Sequence, residues 1–310
     1  MSTLDFSTKI GSKRFSNPIF TASGCASSGQ ELSQFFPLTE LGAIVTKSIM
    51  TKARTGRMTP RMAETPSGML NSIGLQGPGI DAFLENDIPW LVEQKAKIIV
   101  SIAGETVDEY GVLSRRLRAV PGISAVEVNI SCPNVENRGQ VFACHPDTSI
   151  AVIEAVRRNI GGELPIIAKL SPDVTDIVSI AQAVINAGVD GLALINTLLG
   201  MVIDTNSMRP KLAGKTGGLS GPAIRPVAVR AIYQVHQAFP NTPIVGMGGV
   251  ASGRDALELI LAGASAISIG TASFGNPNAA MQVKSQLSEL LIERGFNDFR
   301  DAIGFAHRGV

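Results

Sequence analysis

A cysteine at the end of a strand-like segment is the residue of this chain best suited to do chemistry. The β-branched run 125–130 is followed at once by Ser131, Cys132, Pro133 and Asn134. Proline cannot donate to a sheet and holds the preceding residue extended, so we expect the strand to end and Cys132 to lie on the following loop. Parallel α/β folds carry their reactive groups there. A small buried cysteine beside a turn proline is the alternative that this motif leaves open.

Polar side chains also follow the other strand-like segments. They are Ser23, Lys47, Ser48, Ser101, Asn129, Lys169, Asn196 and Thr197. Buried polar groups need hydrogen-bond partners, and a bound polar ligand is the simplest source of them. Lys47 and Lys169 end apolar segments, where an unpaired cation is costly. They indicate either the anionic groups of a ligand, such as a carboxylate or an electron-rich ring, or a buried ion pair with a neighbouring carboxylate.

Glycines follow the last two strand-like segments. The first group is Gly246-Met247-Gly248-Gly249 and the second is Gly270 before Thr271. Backbone N–H groups can approach a ligand closely where no side chain intervenes, and barrels often build a phosphate site from these two loops. We therefore favour phosphate binding over glycines that only form tight turns. The sequence has no strand-linked GxGxxG and no GxxxxGK[ST], which argues against a Rossmann site or a P-loop.

Eight short apolar segments recur along the chain and predict the strands that position these residues. They are 18–21, 43–47, 98–102, 125–130, 166–169, 191–195, 244–246 and 266–269. Each is continuously apolar, as expected for a parallel sheet that is covered on both faces. Helical patterns lie between most of them, for example at 148–159, 174–186, 226–239 and 253–261. This α/β alternation predicts a (β/α)8 TIM barrel, with a doubly wound sheet as the alternative.

Two connections are much longer than the others. Residues 51–83 and 200–224 follow the second and the sixth predicted strands. Long loops in a compact barrel usually act as lids, binding loops or partner surfaces, and we expect both over the C-terminal mouth. No linker-like segment divides the chain, so we predict a single domain over residues 1–310.

Composition limits the classes of function. The 310 residues are 45% hydrophobic and 17% charged with a net charge of +1, which allows a large core and does not favour nucleic acid as a partner. Three scattered cysteines, Cys25, Cys132 and Cys144, argue against a disulfide framework or a metal centre in this chain and favour a reducing cytoplasm. No secretory signal is visible, and the apolar region 187–203 is interrupted by polar residues, which indicates a buried strand and not a membrane span.

Four motifs together point to a known family. They are Asn71-Ser72-Ile73-Gly74-Leu75, Asn129-Ile130-Ser131-Cys132-Pro133-Asn134, Lys169-Leu170-Ser171-Pro172 and Ile195-Asn196-Thr197, with the glycines at 246–249 and 270 in register. From about Phe15 to Gly275 the chain resembles the dihydroorotate dehydrogenases. The resemblance implies that flavin mononucleotide (FMN) lies across the barrel mouth and that dihydroorotate is oxidised to orotate in pyrimidine biosynthesis.

The resemblance also implies roles for individual residues. Substrate would be bound by Lys47, Asn71, Ser72, Ile73, Gly74, Leu75, Asn129, Asn196 and Thr197. The flavin would be held by Ser23, Lys47, Ser48, Ser101, Asn129, Lys169, Ile195, Gly221, Gly248, Gly249, Gly270 and Thr271. Cys132 would be the catalytic base that removes a proton from C5 of dihydroorotate while C6 gives hydride to the flavin. No metal site is implied, and we assign no role to Cys25 or Cys144.

The subclass can be narrowed by the same resemblance. Cysteine at 132 is similar to the soluble class 1 enzymes, and the segments 216–224 and 137–140 resemble the NAD-linked class 1B more than the fumarate-using class 1A. Class 1B implies a partner subunit that carries FAD and a 2Fe-2S cluster, and a homodimer of catalytic chains within a heterotetramer. A class 1A homodimer, a dihydropyrimidine dehydrogenase-like subunit and a flavin-free scaffold barrel are the alternatives.

Overall fold

The computed structural model of this chain describes residues 4–131 and 145–309, and its main element is a sheet of eight parallel strands within those ranges. In chain order the strands are β1 (Ile19–Thr21), β2 (Ile44–Val45), β3 (Ile98–Ile102), β4 (Ile123–Asn129), β5 (Ile166–Lys169), β6 (Gly191–Leu194), β7 (Ile244–Met247) and β8 (Ala266–Ile269). Strands β2 to β8 pair in sequence and β8 pairs with β1. A parallel bridge from Phe20 to Ala43 closes the ring. The prediction of a (β/α)8 barrel is confirmed and the doubly wound alternative is wrong.

Helices alternate with the strands, as the sequence predicts. The longer α-helices of the described ranges are Val107–Leu117, Pro146–Ile160, Ile177–Asn186, Arg225–Ala238, Gly253–Ala262 and Ala279–Glu293. Shorter helical pieces are Leu32–Gln34, Leu38–Glu40, Ile80–Ala82, Phe83–Asp87, Ile88–Glu93, Pro222–Ile224, Ala272–Gly275, Phe299–Ala302 and Phe305–His307. Polar side chains cap the N-termini of several helices. Asp176 accepts hydrogen bonds from two backbone N–H groups of its helix, and Ser252 forms a capping box with Asp255.

The interior of the barrel changes from apolar to polar along the strands. Its apolar layer consists of Ile10, Phe15, Phe20, Ala43, Val45, Ile99, Ala125, Ile167, Ala193, Val245, Met247 and Ala266. Side chains two residues apart on a strand point to the same face, so Ser101, Glu127 and Lys169 follow Ile99, Ala125 and Ile167 into the interior. All three polar side chains are buried. The carboxyl end of the barrel therefore carries a buried polar layer.

The two long connections are not simple loops. Within the described residues they form a four-stranded antiparallel sheet, here called the mouth sheet, whose strands in order are Leu198–Met201, Thr216–Ser220, Gly68–Asn71 and Met62–Thr65. A two-stranded ribbon, Ile203–Asp204 with Arg209–Pro210, extends it. The sequence analysis predicts no strands in these connections, because the pairing partners lie far apart in sequence and leave no local pattern. Their position at the carboxyl end of the barrel agrees with the sequence.

The N-terminal hairpin closes the opposite end of the barrel. Strands Thr8–Ile10 and Lys13–Phe15 pair antiparallel, and the Phe15 ring lies 5.0 Å from that of Phe20 in the barrel interior. None of the helices formed by residues 4–131 and 145–309 combines the length and the apolar character that crossing a bilayer requires. The single domain over 1–310 stays a prediction.

Candidate functional site

A cavity of about 540 Å³ opens at the carboxyl ends of the barrel strands, beneath the mouth sheet. Most residues that the sequence singled out contribute to its lining. They are Ser23, Lys47, Ser48, Asn71, Ile73, Gly74, Leu75, Asn129, Lys169, Ile195, Asn196, Thr197, Gly221, Gly248, Gly249, Gly270 and Thr271. The barrel ends and the mouth sheet thus bring residues from the whole length of the chain into one site. Cys132 lies outside the described residues.

Two of the predicted site residues lie behind the cavity lining. Ser72 is fully buried, and its Oγ accepts a hydrogen bond of 2.9 Å from Arg57 Nη1. Ser101 is also fully buried, and its Oγ donates to Glu127 Oε1 at 2.9 Å. Both hydroxyls are engaged by the protein, so their side chains support the wall of the cavity.

Asparagine side chains form one connected group at the ends of β4 and β6. Asn129 Nδ2 donates to Ser48 Oγ at 3.0 Å, and Asn129 Oδ1 accepts from Asn196 Nδ2 at 3.3 Å. Asn196 also donates to Ser131 Oγ at 2.7 Å and accepts the Thr197 N–H at 2.8 Å. These bonds fix the amide planes in advance, which lowers the entropic cost of binding a flat polar ligand.

The two lysines at the mouth lie in different surroundings. Lys169 Nζ lies 3.7 Å from Glu127 Oε1, and both side chains are almost completely buried. The ion pair that the sequence left open for Lys169 is therefore present, yet Lys169 also lines the cavity. Lys47 is half-buried and lines the same cavity. Two ammonium groups at one site make it suitable for an anionic ligand.

Glycines after β7 bring the backbone close to the rim of the cavity. Gly249 has φ +74°, and a Cβ added there would lie 2.8 Å from the carbonyl oxygen of Gly221. This positive φ and the close contact explain why glycine is required. The neighbouring loop after β8 is tied to the mouth sheet, because Thr271 Oγ1 donates to Ser220 Oγ at 2.7 Å. The two loops therefore form one edge of the cavity with exposed backbone.

Several lining residues were missed by sequence reasoning. They are Ala22, Gly24, Cys25, Met62, Met69, Ser220, Pro222, Ile224, Met247, Val250, Ala251, Ser268, Ala272, Phe274 and Gly275. Met62 and Met69 line the cavity because their strands pair within the mouth sheet. No local sequence pattern predicts this pairing. Ser268 is different, since a hydroxyl within the apolar run 266–269 is a visible signal. Its buried Oγ has no hydrogen-bond partner among the described residues.

Cys25 is a half-buried thiol in the cavity lining. Burial raises the pKa of the Cys25 thiol above its ordinary value, although the positive charges of Lys169 and Lys47 act in the opposite direction. The thiolate is the reactive form of cysteine, so a raised pKa lowers the reaction rate at neutral pH. We expect iodoacetamide to alkylate Cys25 much more slowly than a cysteine in a short peptide, with the rate rising as the pH becomes alkaline. Peptide mapping by mass spectrometry measures this, and an equal rate at neutral pH would contradict it.

The fold and the cavity define a (β/α)8 barrel with a ligand site at the carboxyl ends of its strands, the position at which such barrels carry their active sites. The sequence matches the protein family described as Dihydroorotate dehydrogenase over residues 5–291. The chain belongs to the dihydroorotate dehydrogenase family. The resemblance seen in the four motifs is confirmed.

Curated relatives extend the comparison over nearly the whole chain. A protein of Desulforudis audaxviator named "Dihydroorotate dehydrogenase B (NAD(+)), catalytic subunit" is 52% identical over 292 residues, which cover 94% of either chain. Proteins of the same name from Desulforamulus reducens and Trichlorobacter lovleyi are 49% and 50% identical. Their matches cover 98% and 96% of this chain, and 99% and 97% of the relatives.

Proposed function

We propose that this chain oxidises (S)-dihydroorotate to orotate in pyrimidine (UMP) biosynthesis, with FMN as its cofactor and NAD⁺ as the final acceptor. The observation that carries the proposal is the near full-length similarity to relatives that bear this name. The amides and lysines that converge on the cavity support it independently, because orotate is a flat acid with several hydrogen-bonding groups. The NAD-linked relatives favour this acceptor over fumarate and favour dihydroorotate over a pyrimidine without a carboxylate.

The residues of the cavity fit FMN. Gly248 and Gly249, with Gly270 and Thr271, offer a backbone edge that suits a phosphate. Ser268 has a buried hydroxyl without a partner among the described residues, which a ligand hydroxyl would satisfy. Methionines and other apolar side chains of the lining suit the faces of a flat ring. When bound, FMN supplies the hydride acceptor.

The protein's own groups would bind and activate the substrate. Asn71, Asn129 and Asn196 would hydrogen-bond the pyrimidine ring, and Lys47 would attract its carboxylate. By the family resemblance, Cys132 would take the proton from C5, which is only weakly acidic beside a carbonyl and needs a base held against it. Lys169 would stabilise the negative charge that develops in the cavity during the reaction.

Anaerobic reduction of the purified protein tests this proposal. The chain reconstituted with FMN should lose its visible absorbance when dihydroorotate is added, and orotate should form in equal amount. A protein that folds but never takes up FMN would contradict the proposal, as would one whose flavin is not reduced. Adding fumarate, or NAD⁺ with a FAD and 2Fe-2S subunit, then distinguishes the two acceptors.

The two glycine loops give a separate test of the phosphate site. We expect Gly249→Ala to weaken FMN binding by roughly 10- to 100-fold, because displacing this loop removes charge-assisted hydrogen bonds to the phosphate. Riboflavin, which has no phosphate, should lose much less affinity in the same variant. Fluorescence titration of the FMN-free protein measures both. Equal losses for the two flavins would show that the substitution acts through general distortion.

Gly162→Ala is the matched control for this variant. A Cβ added at Gly162 would meet no atom within 4 Å, and the residue is exposed. Its affinities for FMN and riboflavin should equal those of the unchanged protein.

We also propose that the chain works in an assembly in the cytoplasm, as a homodimer of catalytic chains within a heterotetramer whose other subunit carries FAD and a 2Fe-2S cluster. The relatives are named as a "catalytic subunit", which supports the existence of a partner subunit. The mouth sheet adds support through its edge strand Leu198–Met201, on which Leu199 and Met201 lie two residues apart and share a face. Leu199 and Met201 are each about half exposed, and apolar surface of this kind commonly marks an interface.

A further inference from the structure

Glu127 is a buried carboxylate behind the cavity, and the proposed function gives it no role. Its side chain on β4 is 3% exposed, and the Nζ atom of Lys169 on β5 lies 3.7 Å from its Oε1. Lys169 contributes to the cavity lining while Glu127 lies behind it. The lysine therefore stands between the carboxylate and the space for the ligand.

A directed chain of hydrogen bonds ends at the same carboxylate. Asn129 Nδ2 donates to Ser48 Oγ at 3.0 Å, and Ser101 Oγ donates to Glu127 Oε1 at 2.9 Å. Because the one hydroxyl hydrogen of Ser101 is used in this way, Ser48 must donate to Ser101, whose Oγ lies 2.9 Å away. Every donor in the chain points towards Glu127. This arrangement suits an ionised carboxylate, which only accepts hydrogen bonds.

The surroundings make a counter-ion for Lys169 necessary. A buried ammonium loses its proton unless an opposite charge is near, and a like charge increases that tendency. Among the described residues that line the cavity, Lys47, after β2, and the thiol of Cys25, after β1, are the other titratable groups. Both lysines act electrostatically on Cys25. Among the described residues, Glu127 is the carboxylate within 4.0 Å of Lys169 Nζ.

The separation of the pair leaves Lys169 available to a ligand. A distance of 3.7 Å exceeds the length of an N–H···O hydrogen bond, so Glu127 attracts the charge without consuming its donors. We infer that Glu127 is a positioning residue that keeps the Lys169 ammonium charged at the cavity floor while leaving its N–H groups to the ligand. This inference rests on the proposed function in one respect, namely that the ligand group near Lys169 is a flavin that gains negative charge on reduction.

The first test needs no flavin. Glu127→Gln keeps the shape of the side chain and an acceptor for Ser101 but removes the charge. In the FMN-free variant more of Lys169 should be the neutral amine, which is the form that acetic anhydride acylates. We expect acylation of Lys169 at neutral pH to be roughly tenfold faster or more than in the unchanged protein, measured by peptide mass spectrometry. Glu127→Asp keeps the negative charge, so acylation of Lys169 in this variant should be nearly as slow as in the unchanged protein.

The second test uses the midpoint potential of the bound flavin between about pH 6 and about pH 9. In Glu127→Gln the potential should lie below that of the unchanged protein at the alkaline end, because a neutral Lys169 no longer stabilises the reduced flavin. The two potentials should converge at the acid end, where Lys169 regains its proton. Glu154→Gln, at an exposed helical glutamate paired with Arg158, is the control and should change neither measurement.

Two results would overturn the inference. One is an unchanged acylation rate of Lys169 in Glu127→Gln. The other is a potential that is equal to or higher than that of the unchanged protein at every pH, which would mean that Glu127 only offsets the charge of Lys169. Failure of the proposed function is distinguishable, since it would appear in the unchanged protein as absent FMN binding or absent reduction by dihydroorotate, while the acylation result would still stand.

Discussion

Replacing Cys132 by serine should slow reduction of the bound flavin by dihydroorotate by roughly 100- to 10,000-fold at neutral pH. This range is what a positioned general base contributes to a proton transfer, and a serine hydroxyl is a far weaker base than a thiolate. The variant should still bind FMN and orotate, because the amides, lysines and glycines of the cavity are unchanged. Anaerobic stopped-flow absorbance measures the rate, and equilibrium titration measures the two affinities.

Cys144→Ser is the matched control, since the same chemical change at a cysteine without an assigned role should leave the rate unaltered. The unchanged protein should also react faster as the pH rises from neutral into the range where an ordinary free thiol ionises, near about 8.5, and the serine variant should lose that dependence. A rate in Cys132→Ser close to that of the unchanged protein would reject Cys132 as the base.

Replacing Lys169 by methionine should lower the free energy of unfolding by about 3–5 kcal/mol. The substitution leaves Glu127 as a buried carboxylate without its cation, and removing one partner of a buried pair costs about this much. Urea unfolding of the FMN-free protein, followed by circular dichroism, measures the loss. Adding Glu127→Gln to the same chain should recover a large part of it, because the double variant buries no unpaired charge.

Lys284→Met provides the comparison at the surface. Lys284 Nζ lies 2.9 Å from Glu40 Oε2, and that carboxylate is about half exposed. Water solvates Glu40 when its partner is removed, so the loss should stay below about 1 kcal/mol. A loss of unfolding free energy in Lys169→Met no larger than that in Lys284→Met would contradict the prediction. It would mean that Glu127 is not left as an unpaired buried charge in the Lys169→Met variant.

The barrel strands could be predicted from the sequence because their signal is local. Each is a short continuous apolar run, and the observed bounds differ from the predicted ones by at most two residues, as at β2, predicted over 43–47 and observed at Ile44–Val45. The polar residues that end these runs could be predicted as one site for the same reason, since the carboxyl ends of parallel strands meet at one end of a barrel.

The mouth sheet and the role of Glu127 could not be predicted, because both depend on contacts between distant segments. Asn71 bonds Gly218 across 147 residues of sequence, and the strands involved are short and rich in glycine. Glu127 lies inside an apolar run of the sequence. Its ion pair with Lys169 could not be predicted because it forms only when β5 pairs with β4. The choice between ligand and ion pair at Lys169 is therefore open from the sequence, and the structure shows an ion pair on a lysine that also lines the cavity.

The mouth sheet has a small apolar cluster of its own, Ala63, Leu70 and Leu212, and its strands meet the large cluster around the barrel through Leu198 and Leu219. Elements with few shared apolar contacts open at a lower free-energy cost than the body of a domain. We therefore expect the mouth sheet, which roofs the cavity, to open at a lower free-energy cost than the barrel. Such opening would admit a ligand without loss of the preorganised amides and lysines at the strand ends, and a bound ligand would in turn stabilise the closed roof.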